Sequence, residues 1–106
     1  MFARNVSVRL KTNSSVAFTK MIEDHTIPTL RKHPGFAGIV TLLGPGETEA
    51  VAISFWDNKE SAAAYANSGY SEVMKNLNKF IEGTPQVKAY EVVNSTLHHT
   101  AAAVGV

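Results

Sequence analysis

The sequence contains 106 residues, which suits a single domain, and its formal net charge is +1. Apolar residues make up 44% of the chain and charged residues 18%, a composition that excludes a largely disordered protein. The absence of cysteine excludes a disulfide scaffold, a thiolate metal site and a thiol nucleophile. The near-neutral charge, without a basic stripe interleaved with aromatic residues, argues against a nucleic-acid partner.

Residues 1–5 contain no apolar signal core, and no apolar run approaches membrane-spanning length. We therefore expect no membrane partner. The cytoplasm is the simplest location, and a reducing compartment also fits a chain without cysteine.

Residues 2–11 alternate between apolar and polar side chains, a period of two that predicts a half-buried strand. The apolar face consists of Phe2, Val6, Val8 and Leu10, and the other face of Ala3, Asn5, Ser7, Arg9 and Lys11. Arg4 is the one polar residue that the alternation places on the apolar face. Its guanidinium either binds an anionic or phenolate oxygen in a pocket or reaches solvent at the strand end.

Residues 12–15 are a cluster of helix-capping residues, and a helix is predicted from there to about residue 32. Its apolar stripe contains Phe18, Met21, Ile22 and Leu30, with His25 on or near the same side. Pro28 predicts a kink over residues 24–28, because proline removes a helical hydrogen bond. His33, followed by Pro34 and Gly35, is typical of a helix end that faces solvent.

The middle of the chain predicts a hairpin. Residues 36–43 are a nearly continuous apolar run, and residues 49–56 alternate between two sets of side chains. Gly44, Pro45 and Gly46 lie between these two segments, so the loop is expected over residues 44–48.

The last third predicts a broken helix and a final strand. Residues 57–60 have the spacing of a capping box, and an alanine-rich helix follows over residues 61–66. Residues 67–69 interrupt it before a second amphipathic segment over residues 70–81. Gly83, Thr84 and Pro85 are expected to end this segment, and residues 86–97 to form the last strand. The order strand–helix–strand–strand–helix–strand predicts one α+β domain over residues 1–106 with a ferredoxin-like βαββαβ arrangement.

A homodimer is expected because helices on one side of a four-stranded sheet leave the other face open. We expect this face to carry Ala3, Ser7, Ala50, Ala52 and Trp56, and the apolar run at residues 36–43 needs cover on both faces. A second sheet packed against it would close a barrel. The small, apolar tail at residues 98–106 is expected at the same interface.

Four short segments carry a family resemblance: Leu-Arg-Lys-His-Pro-Gly-Phe at 30–36, Ala-Ile-Ser-Phe-Trp-Asp-Asn-Lys-Glu at 52–60, Ser-Gly-Tyr at 68–70 and Gly-Thr-Pro-Gln-Val at 83–87. With them the chain resembles the antibiotic biosynthesis monooxygenase family of dimeric α/β barrels. The resemblance implies a homodimer with one pocket per subunit between sheet and helices. It also implies, for some members, oxidation of quinol-like aromatic substrates by oxygen without a metal or flavin cofactor.

Other members of the family bind and degrade haem, and the resemblance implies an asparagine, a tryptophan and an iron-ligating histidine for that branch. Here the tryptophan position holds Tyr65, and the histidine position falls near Lys75 or Asn76. Neither of these replaces an imidazole as an iron ligand. The alternation of the first strand also places Asn5 away from the helices. Haem degradation is therefore not expected.

Seven side chains are candidates for a pocket. The catalytic candidates are Tyr65, His25 and Arg4, and the substrate-binding candidates are Trp56, Tyr70, Phe55 and Asn5. His25 either acts as a base near neutral pH or donates to a carbonyl freed by Pro28. The tyrosines either orient a quinol and relay a proton or pack at the edge of the core. Phe55 and Trp56, at the end of the third strand, either line the pocket or fill the core.

No metal site is expected, because His98 and His99 would point to opposite faces of a strand. Two functions stay open. One is a cofactor-independent monooxygenase acting on a small aromatic molecule. The other is a non-catalytic dimer that binds a small molecule or a partner in the same cavity.

Overall fold

The structure, a computed structural model, describes residues 1–96. One antiparallel sheet contains β1 (Phe2–Leu10), β2 (Phe36–Leu43), β3 (Glu49–Trp56) and β4 (Ile81–Glu91). The strands lie in the order β2-β3-β1-β4. The predicted interface tail, residues 98–106, lies outside the described residues.

The helices cover one face of this sheet. Between β1 and β2, α1 (Ser15–Met21) continues through a π-helical turn at Ile22–Thr26 into α2 (Ile27–Arg31). Between β3 and β4 lie α3 (Lys59–Ser68), α4 (Tyr70–Leu77) and a 3₁₀ turn at Asn78–Phe80, and a second 3₁₀ turn at Pro45–Glu47 forms the hairpin loop. This order confirms the predicted α+β, ferredoxin-like arrangement.

The helical segment between β1 and β2 contains a π turn rather than the simple proline kink that the sequence predicts. The π turn ends at Thr26, two residues before Pro28, and Pro28 occupies the first turn of α2, where its missing N–H is not needed. A π turn inserts one extra residue and rotates the helix face that follows it. As a result Thr26 is buried, and His25 is exposed, although the sequence predicts His25 on or near the apolar side of the helix.

The second helical connection begins at Asn58, whose side chain accepts a hydrogen bond of 2.8 Å from the backbone N–H of Ser61. The predicted capping box therefore acts one residue later than its first aspartate. Gly69 separates α3 from α4, as the interruption at residues 67–69 predicts.

The last strand begins earlier than the sequence predicts. Gly83, Thr84 and Pro85 do not end a helix but lie within β4, where the pairing with β1 shifts register. Gly83 has φ = +73°, which a bulge in an edge strand can require. Proline is tolerated here because β4 is an edge strand.

The strand register decides which side chains lie on each face of the sheet. Ala50 and Trp56, predicted on the open face, are 1% and 0% exposed and belong to the core beneath the helices. Val51, Ile53 and Phe55 alternate with them and therefore lie on the open face. Ala52, also predicted on the open face, lies on the helix side by the same alternation, so the open face is more apolar than the sequence predicts.

The core lies between the sheet and the helices, and its largest fully buried side chains are Trp56, Phe18 and Leu30. They come from β3, α1 and α2, and Val73, Met74 and Leu77 of α4 belong to the same cluster. The core therefore ties both helical connections to the sheet. Among residues 1–96, no helix is long and apolar enough to cross a membrane.

Candidate active site

A cavity of about 40 Å³ lies within this core, between the sheet and the helices. Aliphatic side chains from both layers form most of its wall. Five of the lining residues carry polar groups, and these are Arg4, Thr26, Ser54, Tyr65 and Tyr70. A volume of this size holds a few water molecules, whereas sites for drug-sized ligands measure about 300–1,000 Å³. A larger ligand therefore requires the cavity to open.

Arg4 is the charged group of the cavity. It is 7% exposed, and its guanidinium carbon lies 4.7 Å from the ring centre of Tyr70 and 5.3 Å from that of Tyr65. Within residues 1–96 no carboxylate forms an ion pair with it. Burial lowers the pKa of Arg4, and its interaction with the two tyrosines opposes this change. The guanidinium nevertheless remains charged at physiological pH.

Tyr65 connects this charge to the aromatic core. Its ring stacks on Trp56 at a centroid distance of 5.0 Å and meets His33 and Tyr70 edge-on at 5.3 and 6.3 Å. Burial raises the pKa of Tyr65 to about 12, although Arg4 acts in the opposite direction. Burial likewise raises the pKa of Tyr70, with Arg4 again opposing it. Both hydroxyls are therefore protonated near neutral pH and act as hydrogen-bond donors rather than as bases.

Trp56 lies behind the cavity wall. It is fully buried, and its Nε1 donates a hydrogen bond of 3.0 Å to Ser54 Oγ. Its indole supports Tyr65 and does not itself line the cavity. Of the two readings of Trp56, the structure favours core packing over a substrate wall.

Three other candidates lie outside the cavity. His25 is exposed, because the π turn rotates it away from the core. Phe55 and Asn5 lie on the open face of the sheet, since their neighbours in β3 and β1 face the helices. Asn5 Oδ1 accepts a hydrogen bond from Ser7 Oγ at 3.2 Å on that face. The alternation of β1 therefore separates Arg4 from Asn5, as the sequence indicates.

Two site residues were missed by the sequence analysis. Ser54 lies two residues before Trp56 in β3, and the alternation of that strand could have placed it on the helix side. Thr26 is 4% exposed, and its hydroxyl has no hydrogen-bond partner among the described residues. No local pattern reveals Thr26, because its orientation depends on the π turn.

His33 also differs from its prediction as a solvent-facing helix end. It is partly buried, and a Cβ added at Gly69 would overlap its Nε2 and approach Tyr65 Cδ1 to 2.9 Å. His33 and Gly69 therefore both pack against the ring of Tyr65. Among residues 1–96, no three histidine or acidic side chains cluster as a metal site would require.

Comparison with solved structures identifies the fold. A Nitrosomonas europaea structure provisionally described as an antibiotic biosynthesis monooxygenase matches with a TM-score of 0.73 and 18% identity, covering 89% of this chain and 100% of that one. A Streptomyces coelicolor monooxygenase, solved with the ligand nanaomycin D, matches with a TM-score of 0.76 and 14% identity, covering 91% and 90%.

A variant of SnoaB, described as a cofactor-independent oxygenase from Streptomyces nogalater, matches with a TM-score of 0.69 and 16% identity, covering 90% of this chain and 96% of that one. No protein-family model and no curated protein sequence matches the chain. At these identities the likeness establishes the fold, which is that of the antibiotic biosynthesis monooxygenase family.

Proposed function

We propose that the protein is a cofactor-independent monooxygenase that oxidises a small phenolic aromatic substrate with molecular oxygen. The observation that carries this proposal is Arg4, a buried guanidinium without an ionic partner among the described residues, flanked by two protonated tyrosines. A fixed positive charge in an apolar cavity stabilises a phenolate far more strongly than water does. Solved structures of the same fold include a monooxygenase and a cofactor-independent oxygenase.

The chemistry needs no added reductant. A phenol with a free para C–H reacts with O₂ to give a para-quinone and water, so one oxygen atom enters the product and the substrate supplies all the electrons. The substrate binds as its phenolate, having released its hydroxyl proton to water, and this ionisation makes the ring electron-rich enough to reduce O₂. The new C–O bond forms at the para carbon, and the terminal peroxide oxygen takes a proton from Tyr65. Loss of the para hydrogen as a proton, which returns to Tyr65, then breaks the O–O bond. The second carbonyl forms, and the released hydroxide leaves as water after taking up the proton that the phenol had given to solvent.

The polar residues of the cavity take separate roles in this proposal. Arg4 holds the phenolate, and Tyr65 donates a proton to the peroxide oxygen that leaves as water. Tyr70, which is only half-buried at the start of α4, moves to admit the substrate, because a cavity of about 40 Å³ is too small for an aromatic ring.

Oxygen uptake with 1-naphthol tests the proposal. We expect one 1,4-naphthoquinone formed for each O₂ consumed, with one ¹⁸O atom in the fresh product when ¹⁸O₂ is supplied. Tyr65→Phe should lower the rate about 100-fold, because it removes a positioned proton donor. Tyr90→Phe is the matched control, since Tyr90 is 51% exposed on the open face, and its rate should equal that of the wild type. Absence of turnover with 1-naphthol and with larger polycyclic phenols would contradict the proposal.

A non-catalytic binding function is the second candidate. It is favoured by one observation: among residues 1–96, no histidine or carboxylate lines the cavity to serve as a base near neutral pH. In that case small aromatic molecules would raise the melting temperature without being consumed. The oxygen-uptake measurement separates the two functions directly.

The proposed enzyme is a homodimer joined through the open face of the sheet. Val51, Ile53 and Phe55 on that face adjoin Leu42 of β2, which is 49% exposed. Val51, Ile53 and Phe55 are partly buried and Leu42 is exposed, and a contiguous apolar patch that stays accessible in this way marks an interaction surface. A second sheet packed on this face would form the barrel that the family resemblance implies.

Ile53→Asp should dissociate this dimer, because its carboxylate would be buried at the interface without a partner. We expect the dimer dissociation constant to rise about 100-fold or more, measured by sedimentation equilibrium. Val16→Asp is the control, since Val16 is 80% exposed on α1 and faces away from the sheet. A wild-type monomer, or an Ile53→Asp variant that dimerises normally, would exclude the sheet face as the interface.

A further inference from the structure

One edge of the sheet lacks the features that normally prevent strand pairing. β2 lies at the end of the strand order, and within residues 1–96 only β3 pairs with it. β2 contains no charged residue and no proline, and its register with β3 shifts only near its start, between Phe36 and Gly38. Residues 39–43 therefore form a regular, uncharged edge, the β2 edge. An edge of this kind is a template for another strand.

The opposite edge of the sheet carries the protection that β2 lacks. Pro85 removes an N–H from β4, and the pairing of β4 with β1 shifts register between Gln86 and Glu82. Lys88 and Glu91 add charges along the same strand. Prolines, bulges and charges are the means by which natural proteins prevent edge-to-edge pairing. Their presence on β4 and their absence from residues 39–43 indicate that the β2 edge has a strand partner.

The hairpin determines which backbone groups point outward at the β2 edge. The N–H of Gly44 donates to the carbonyl oxygen of Glu49 across the hairpin at 2.9 Å. Backbone direction alternates along a strand, so Leu43, Thr41 and Ile39 direct their N–H and C=O groups away from β3. These three residues offer a partner strand a regular row of donors and acceptors.

The side chains of β2 leave apolar surface on both sides of the sheet. Val40 and Leu42 are 39% and 49% exposed on the open face. Leu43 is 43% exposed on the helix side, because it pairs with Ala50 of the core. A second sheet packed on the open face leaves Leu43 uncovered, and at a spacing of about 10 Å it cannot bond the strand edge. A strand added to the β2 edge covers apolar surface on both sides.

We infer that the β2 edge pairs with the β2 edge of a second copy of this chain, antiparallel and about a two-fold axis at Thr41. Residues 39–43 are self-complementary in this register: Ile39 lies opposite Leu43 of the partner subunit, and Val40 opposite Leu42 of the partner subunit. Each cross-strand pair is apolar or joins two threonines, so no charge is buried. The two edges exchange about six N–H···O bonds.

This edge contact joins two of the proposed face-to-face dimers into a tetramer. One short strand from each subunit buries less than the roughly 1,200–2,000 Å² of a standard stable interface, so we expect the tetramer only at concentrations above those that form the dimer. Edge pairing needs no catalysis, and a protein that fails to oxidise 1-naphthol would still associate in this way. Without the face contact, the same edges would join monomers into weak dimers.

Sedimentation equilibrium of Thr41→Pro tests the edge contact. Proline removes an N–H that points away from β3, so the pairing with β3 is kept, while the partner strand loses a donor and meets the proline ring. We expect the dimer–tetramer dissociation constant to rise about tenfold or more. Ala89→Pro is the matched control, because the N–H of Ala89 points away from β1 at the edge of β4. It should leave the tetramer unchanged.

Leu43→Lys provides a second variant in case Thr41→Pro folds poorly. Leu43 is exposed, so lysine should leave the melting temperature unchanged, and an edge lysine should block the tetramer. A wild type that stays dimeric at every concentration would overturn the inference, since the β2 edge would then be left to another protein or to solvent. A tetramer that persists in both variants, or one that Ala89→Pro abolishes, would overturn it as well.

Cysteine pairing tests the register, because the chain has no cysteine of its own. The Ile53→Asp background removes the face contact. Within it, Val40→Cys combined with Leu42→Cys creates non-hydrogen-bonded cross-strand pairs, whose Cα atoms lie about 4.5 Å apart and within disulfide range. We expect oxidation to link position 40 of one chain to position 42 of the other, identified by peptide mapping. Links only between equal positions would contradict a two-fold axis at Thr41.

Discussion

Replacing Arg4 with methionine is expected to stabilise the protein and to remove its activity. Burying an ion without an ionic partner costs several kcal/mol, whereas each of its two cation–π contacts returns about 2 kcal/mol. Methionine fills a similar volume without a charge. We expect the free energy of unfolding to rise by about 1 kcal/mol, which raises the melting temperature of a domain this size by about 4–8 °C. Oxidation of 1-naphthol should fall about 100- to 1,000-fold, the effect of removing one group that stabilises a developing oxyanion.

Arg9→Met is the matched control for this prediction. Arg9 lies in the same strand but is exposed, so its replacement should change stability by less than about 0.5 kcal/mol and leave turnover intact. An Arg4→Met protein that melts below the wild type would show that the guanidinium holds the fold together. One that is more stable but fully active would show that the charge is unnecessary for the chemistry.

Arg4 also illustrates what a local pattern can predict. The side chains of a strand alternate, so the position of Arg4 between Phe2 and Val6 was enough to place it beneath the helices. The bounds of β2 and β3 followed equally well from an apolar run, an alternating run and the turn between them. In each case the information lies within a few neighbouring residues.

The errors arose where structure depends on distant contacts. His25 lies outside the cavity and Thr26 lines it because of the π turn, which helical periodicity does not predict. Gly83 and Pro85 are typical of turns and of bulges alike, and only the pairing with β1 makes them a bulge. The contact of His33 with Tyr65 joins residues from two separate helical connections, which no local pattern records.

Gly69 offers a direct test of how tightly this aromatic cluster is held. Its φ of −100° and ψ of −25° suit any residue, so helix propensity alone predicts that Gly69→Ala stabilises the protein by about 0.4–1 kcal/mol. Steric packing, by contrast, predicts that Gly69→Ala destabilises the protein. An added Cβ would overlap His33 Nε2 and lie 2.9 Å from Tyr65 Cδ1, which is closer than real carbon contacts allow.

We expect packing to prevail, because crowding a filled core costs about 1–3 kcal/mol. Gly69→Ala should therefore lower the free energy of unfolding by about 1–2 kcal/mol in chemical denaturation. It should also lower 1-naphthol turnover at least tenfold, since displacement of Tyr65 moves its proton donor relative to Arg4. Gly44→Ala is the control, because φ there is −76° and the nearest atom would lie at an ordinary 3.5 Å.

The double variant His33→Ala, Gly69→Ala shows whether crowding against His33 causes the losses expected in Gly69→Ala. Removing the imidazole opens the space that the new Cβ needs. Gly69→Ala should therefore lower the free energy of unfolding less in the His33→Ala background than in the wild type. A coupling free energy of about 0.5–3 kcal/mol is expected for residues in such contact. Recovery of turnover together with stability would show that His33 and Gly69 act on the reaction through the position of Tyr65. Additive losses would instead mean that Gly69 is required by the helix junction itself and that His33 does not hold the ring in place.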